Sequence, residues 1–290
     1  ISGNDLTGIT RGAGGTRAAH SNGASVEYFT AWGQASTSTT VLLDPASWSL
    51  DHFGSTLVAT IKNGNTFQWE AISSFPAALS TRAAAITGAP TTSVMSIVSE
   101  RDRHLIILGT ETTIGTEATQ DKMFIRFSDQ ESLNTYLPTS TNTAGTFRLD
   151  SGVKIVGAAK AKDYILILTD TSAYIMQFVG PPFTFSIRQV GSNCGLIGQH
   201  AVKYVNGKVF WMGQAGGFFV YDGTVKSLPC LVEDFVFTSK GDNLGINYTA
   251  GEQVYAGLNH LYEEITWFYA KNGQEQVDRV VTFLIGKSYK

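Results

Sequence analysis

The sequence predicts an all-β protein: a β-propeller of about five to six blades over residues 24–290, behind an irregular N-terminal arm of residues 1–23. Three observations predict it. The stretch Val153–Gly180 holds three apolar runs of strand length, VKIVGAA, DYILILTD and SAYIMQFVG, split by short polar breaks. Each is rich in β-branched or aromatic residues, and the middle run is apolar at nearly every position, as in a strand covered on both faces. This plan recurs: apolar middle strands start near Leu57, His104, Tyr164, Val209 and Ile265, at spacings of about 47, 60, 45 and 56 residues. Repeats of ~40–50 residues built from consecutive strands are the signature of propeller blades. Finally, the strands follow one another as meanders with no Greek-key crossover, which favours a propeller over two β-sandwiches or an open β-array. Stacking such sheets radially buries both faces of each and leaves only short edges.

The arm, ISGNDLTGITRGAGGTR onward, is rich in Gly, Thr, Ser and Asn. Its GAGG at Gly12–Gly15 lacks the Gly-Lys-Ser/Thr ending of a phosphate loop and follows no strand. Ala24–Gly33 reads as a lone strand, able to share a sixth blade with the C-terminal strands. Leu57–Ile61 and Thr66–Glu70 flank Lys62-Asn63-Gly64-Asn65, a hairpin signal because Asn-Gly accepts positive φ at both positions. Phe75–Ala89 is Ala-rich but carries Pro76 and Gly88, so a loop with one helical turn is expected. Val94–Ser99, His104–Gly109 and Met123–Asp129 are strands around a charged turn and a polar loop. A long connection then leads to the Val153–Gly180 meander, and an extended segment runs from Pro181 to Val190. His200–Tyr204, Val209–Gly213 and Gly217–Asp222 repeat the pattern. Leu231–Ser239 reads as helical or extended. Val254–Leu258, Glu264–Ala270 and Arg279–Ile285 close the chain.

Composition narrows the function. Charged residues make up 16%, below the roughly 25% usual for soluble domains, which fits much surface buried in a core or an assembly. Net charge is −3, without the basic bias of a tight nucleic-acid binder. No apolar run reaches the ~18 residues of a membrane-spanning helix. The N-terminus does not look like a signal peptide. It also lacks Met, which processing and a partial sequence would both explain. Cys194 and Cys230 read as two buried, reduced thiols of an intracellular product.

Several residues invite chemistry. Asp129 and Asp222 both follow aromatic strands and could form a glycosidase acid–base pair. They also recur in register in turns, where Asp supports local backbone hydrogen bonds. His20, His52, His104, His200 and His260 show no metal-binding spacing, and there is no Gly-x-Ser-x-Gly elbow. Trp32, Trp48, Trp69, Trp211 and Trp267 lie in or beside strands and are expected in blade cores rather than on a sugar- or base-stacking surface. Lys154, Lys160, Lys162 and Arg188 form the nearest approach to a basic cluster, read as a solvated face with weak phosphate contact as the alternative. No catalytic, cofactor-binding or metal residue is assigned.

One resemblance adds to this. Ile265–Tyr269 followed by Asp278–Val281 resembles the "WFY … DR-V-V-Y" blade of tail proteins from tailed bacteriophages. Trp48–Gly54 resembles their "W-S-L-x-x-F-G" opening, and Phe127-Ser128-Asp129 their strand end. Val179–Phe183, Gly191–Gly195 and Val220–Gly223 fit their middle blades. These short motifs run in order from about residue 41 to 285. The family is that of tail tube, hub and nozzle proteins similar to tail tubular protein B. The resemblance implies a non-enzymatic structural component of the virion tail, assembled in the host cytoplasm. It implies self-association into a ring, possibly a hexamer, with other tail or adaptor proteins as neighbours. Genomic DNA would pass through the central channel without sequence-specific binding. No cofactor is expected. The family's larger members carry a platform domain before the propeller; none is expected within these 290 residues. The alternative is a polysaccharide-degrading or receptor-binding tail propeller.

Overall fold

Tight turns set the blades. At Asn206-Gly207 both residues take positive φ, 49° and 81°, and join two strands by a two-residue hairpin. The Asn63-Gly64 turn differs from expectation. Only Asn63 is left-handed, at φ 58°, and the loop widens so that Gly64 can bridge Ser93 of the next blade. A side chain at Gly64 would strike the Ile61 side chain.

The structure, a computed structural model, describes residues 29–31, 34–35, 47–70, 82–239 and 245–285. The chain divides into two units, Ile1–Leu43 and Asp44–Lys290. In the first, β1 (Phe29–Ala31) pairs antiparallel with β2 (Gln34–Ala35). The irregular arm and its GAGG lie outside the described residues.

The second unit is a five-bladed β-propeller. Blade 1 is β3 (Trp48–Phe53), β4 (Thr56–Ile61), β5 (Thr66–Glu70) and β6 (Ala84–Ala85). Blade 2 is β7 (Met95–Ser99), β8 (His104–Leu108), β9 (Phe124–Phe127) and β10 (Gly145–Arg148). Blade 3 is β11 (Ile155–Lys160), β12 (Ile165–Thr169), β13 (Ser172–Gly180) and β14 (Thr184–Ser192). Blade 4 is β15 (Val202–Val205), β16 (Lys208–Met212), β17 (Phe218–Tyr221) and β18 (Val225–Ser227). Blade 5 is β19 (Tyr255–Asn259), β20 (Glu264–Tyr269) and β21 (Arg279–Leu284). Every sheet is an antiparallel meander in chain order. The first strands lie side by side in sequence, β3 by β7, β7 by β11, β11 by β15 and β15 by β19, and so surround the axis.

The expected Val153–Gly180 meander is blade 3, with the Pro181–Val190 segment as its fourth strand. The long connection after Asp129 contains β10. The Ala-rich segment supplies β6 at Ala84–Ala85; residues 71–81, with most of the expected helical turn, lie outside the described residues. Leu231–Ser239 contains a short helix, α1 (Glu233–Phe237), which buries Val236 and sets Phe237 against Phe218. Among the described residues β21 pairs only with β20, and the Phe29–Ala31 strand pairs with β2, so the sheets number five around the ring.

Middle strands split their side chains between neighbours, as a two-residue period requires. In β8, Leu105 and Ile107 join a cluster with Phe53 and Val58 of blade 1. Ile106 and Leu108 join one with Ile165 and Ile167 of blade 3. In β12, Leu166 and Leu168 face the opposite way, into a core shared with Val209 and Trp211 of blade 4 and Ile265 and Trp267 of blade 5. Both indoles are buried with their N–H groups satisfied, Trp211 by the Cys194 carbonyl and Trp267 by the Ala201 carbonyl.

Candidate functional site

Because the first strands run side by side, residues just before them gather at one end of the axis and residues at their far ends gather at the other. At the leading end, Ser47 precedes β3 and its hydroxyl donates to the Gln199 Oε1 at 3.1 Å, just before β15. The Ser47 hydroxyl oxygen also lies 3.1 Å from the His200 Nε2. Lys62, beside Ser47 across the β3–β4 pair, reaches Glu252 at 2.6 Å, and Lys154 before β11 reaches the same carboxylate at 3.5 Å. Four blades or their connections thus meet in one polar knot. Burial, with Lys203 and Lys62 nearby, pulls the His200 pKa below 6.5, although the residue as a whole remains partly open to solvent. The buried Gln199 Nε2 has no partner.

At the trailing end, the Lys160 ammonium donates to Asp51 at 2.8 Å and to Glu100 at 2.9 Å, linking blades 1, 2 and 3. Its hydrogen bond holds the Glu100 carboxyl below the usual range. Asp51, His52 and Glu100 lie close enough together to suggest a metal site. The Lys160 ammonium already supplies the positive charge between the two carboxylates, so these residues do not fit a resident cation. Asp51 also accepts from the Val98 N–H at 2.8 Å, which ties β3 to β7. Groups about 3 Å apart therefore link blades at both ends of the ring of first strands.

Asp129 and Asp222 do not come together in any shared contact. Burial would raise the Asp129 pKa, but the Thr143 backbone and hydroxyl, at 2.8 and 2.7 Å, outweigh it and hold it down. Asp222 is held down by Lys226 at 2.9 Å within its own blade. Both are turn supports. The fully buried His104 sits between Asp102, at 2.8 Å, and the Thr143 hydroxyl, at 3.0 Å. Ser99 bonds Asp102 rather than the imidazole, at 2.6 Å, so the trio lacks the nucleophile–base contact of a hydrolase.

The expected basic cluster is dispersed: Lys154 and Lys160 flank opposite ends of β11, and Arg188 lies exposed on β14. The sheet geometry separates residues that the sequence places close together. Trp211 and Trp267 are core; Trp48 and Trp69 are half-buried on blade 1; Trp32 and His20 lie outside the described residues. Cys194 is buried, and desolvation pushes its thiol up to about 11. Cys230 is only half-buried, because its loop leaves blade 4 for the surface. Both are free. No local pattern marked Ser47, Lys62, Gln199 or Glu252, which the ring brings together from distant parts of the chain.

No protein-family model matches this sequence, and no curated protein does. Among solved structures, the AfRom2 CNH domain matches 77% of this chain and 64% of its own, at 12% identity and a TM-score of 0.44. The computationally designed Ika8 protein matches 80% and 60%, at 13% identity and a TM-score of 0.43. BamB from Moraxella catarrhalis matches 76% and 56%, at 13% identity and a TM-score of 0.35. The chain thus spans less than two thirds of each of these, and the likeness concerns the fold alone.

Proposed function

We propose that this protein is a structural component of a bacteriophage tail, a nozzle, hub or tube subunit that assembles into a ring around the DNA-ejection path. It is not an enzyme in this reading. The observation that carries the assembly is the state of the two terminal blades. Leu50 on blade 1 is 62% exposed, and Val280 and Tyr255 on blade 5 are 58% and 44% exposed. Phe147 on β10 and Val179 on β13 are exposed too, but among the described residues no first strand other than β3 and β19 leaves a large apolar side chain open. Apolar side chains left on flat sheet faces mark contact surfaces, and the occupant is a second copy. The order of the tail-protein motifs supports the virion setting. In this reading the DNA path runs through the ring of subunits rather than through one propeller. Other tail or adaptor proteins would cap the ring, and DNA would pass without sequence-specific contacts, as suits a chain of net charge −3.

Light scattering after size-exclusion chromatography, followed by electron microscopy, tests this. A ring, lost in Val280→Asp while the circular dichroism spectrum is kept, is the expected result. A monomer at all concentrations, with no place in virions, would sink the reading.

A further inference from the structure

Between the β7–β8 turn of blade 2 and the β11–β12 turn of blade 3 lies a cleft of about 220 Å³. Its floor is apolar, two aliphatic and two aromatic side chains: Ile165, Met176, Phe178 and Phe185. Phe178 and Phe185 meet edge to face at 5.7 Å, and the His104 ring backs both, at 6.0 and 5.2 Å. The rim is charged, and its charges are of two kinds. Some are already used: Glu100 pairs with Lys160 at 2.9 Å, and Asp102 turns inward to Ser99 and His104. Others are not. Arg101 on the blade 2 wall and Lys162 on the blade 3 wall have no ion pair or hydrogen-bonded partner among the described residues, and neither has Asp163. The unused rim charge is thus net positive, two cations to one anion, above a half-aromatic floor.

The volume decides what could enter. It falls below the roughly 300–1,000 Å³ of pockets for drug-sized ligands, so it suits a single ring with a short head group. Aromatic rings prefer the edge-to-face packing that Phe178 and Phe185 already display. A carboxylate above them would take charge-assisted hydrogen bonds from opposite walls. We propose that the cleft binds an aromatic carboxylate, with its ring on Phe178 and Phe185 and its carboxylate between Arg101 and Lys162. This is the chemistry of an aromatic residue at a polypeptide C-terminus, or of a free arylalkanoic acid. It goes beyond the assembly role and does not depend on it.

Calorimetric titration of the full chain tests it with three probes: a short peptide ending in Phe with a free carboxylate, the same peptide as its amide, and 3-phenylpropionate. The acid peptide binds at or below about 1 mM, and the amide at least about tenfold more weakly. Arg101→Gln and Lys162→Gln each weaken binding severalfold. Asp163→Asn strengthens it, because the one unpaired rim anion is removed. All three residues are exposed, so the fold survives each change, and circular dichroism checks this. If 3-phenylpropionate matches the acid peptide, the free acid is the source; if the peptide binds more tightly, a polypeptide C-terminus is. Equal binding of acid and amide would overturn the proposal. So would no heat from any probe at millimolar concentration, or affinities unmoved by all three substitutions.

Discussion

The interface between blades 2 and 3 and the seam between blades 5 and 1 are built on different principles. The first is dry: Met95, Ile106, Leu108 and Ile125 of blade 2 interlock with Ile155, Ile165, Ile167 and Met176 of blade 3. Each neighbouring pair from blade 1 to blade 5 shares such a cluster. None of these clusters joins blade 5 to blade 1 among the described residues. That side is held by the polar knot of Ser47, Lys62, Gln199, His200 and Glu252 at the leading end of the axis. Cohesion is therefore uneven. Apolar burial contributes about 25 cal/mol for each Å² removed from water, whereas partly exposed ion pairs are worth about 0–1 kcal/mol. A ring sealed by side-chain packing on four sides and by hydrogen bonds on the fifth should yield first at the fifth.

The largest effect should come from the packed side. Trp267→Ala removes a buried indole and its bond to the Ala201 carbonyl, at a cost of about 3–5 kcal/mol in urea denaturation. A loss under about 1 kcal/mol would mean that the blade 4–5 core is far looser than its burial implies.

Next comes pH. His200 has a folded pKa below 6.5, so the unfolded chain takes up a proton first as pH falls. Its contribution is intact above about 6.5, shrinks as pH drops towards the folded value, and then levels off. The urea midpoint should fall between pH 7.5 and 5.5, and His200→Gln should flatten that slope. The carboxyls of Glu100 and Asp129, both held down, act in the same sense at lower pH, because there too the unfolded chain takes up the proton first. Their contribution is present above the ordinary carboxylate range and is lost only as pH falls through their lower folded values. The two windows are separable.

Ser47→Ala should cost about 1 kcal/mol or less, because the knot keeps its ionic contacts. Amide exchange should nevertheless quicken in β3 and β19 before it does in β8 or β12. Val280→Asp should leave the unfolding free energy within about 0.5 kcal/mol, since the side chain is exposed; its effect is confined to assembly. If it destabilised the monomer as strongly as a core change, the seam would be a closed interface and the comparison would fail.

Strands buried on both faces were legible because burial leaves a mark: HLIIL and ILILT are apolar except for His104 at one end and Thr169 at the other. Three of the outermost strands were not. β6, β10 and β18 are short and largely exposed, Ala-Ala, GTFR and VKS, so no alternation distinguishes them from loop. The turns were partly legible. Asn206-Gly207 behaves as its residues dictate, whereas Asn63-Gly64 is reshaped by its bridge to Ser93. The axial knot had no signature at all. Ser47 and Gln199 are 152 positions apart, and ring closure alone makes them neighbours. Lys160 and Lys162 looked like one basic cluster, but a strand end sends the first to an ion pair and leaves the second on the rim of a cleft.

Arg126 sits at 4% exposure in the middle of blade 2, and its burial lowers its pKa. Its guanidinium donates to the carbonyls of Glu111 and Thr112 on one loop and of Tyr136 on another. Two long excursions from the sheet are thereby clasped by a single side chain. They should melt as one cooperative unit rather than fray separately. Arg126→Lys, which keeps the charge but loses the planar fork, should release both at once and make amide protection fall together in segments that never touch in sequence.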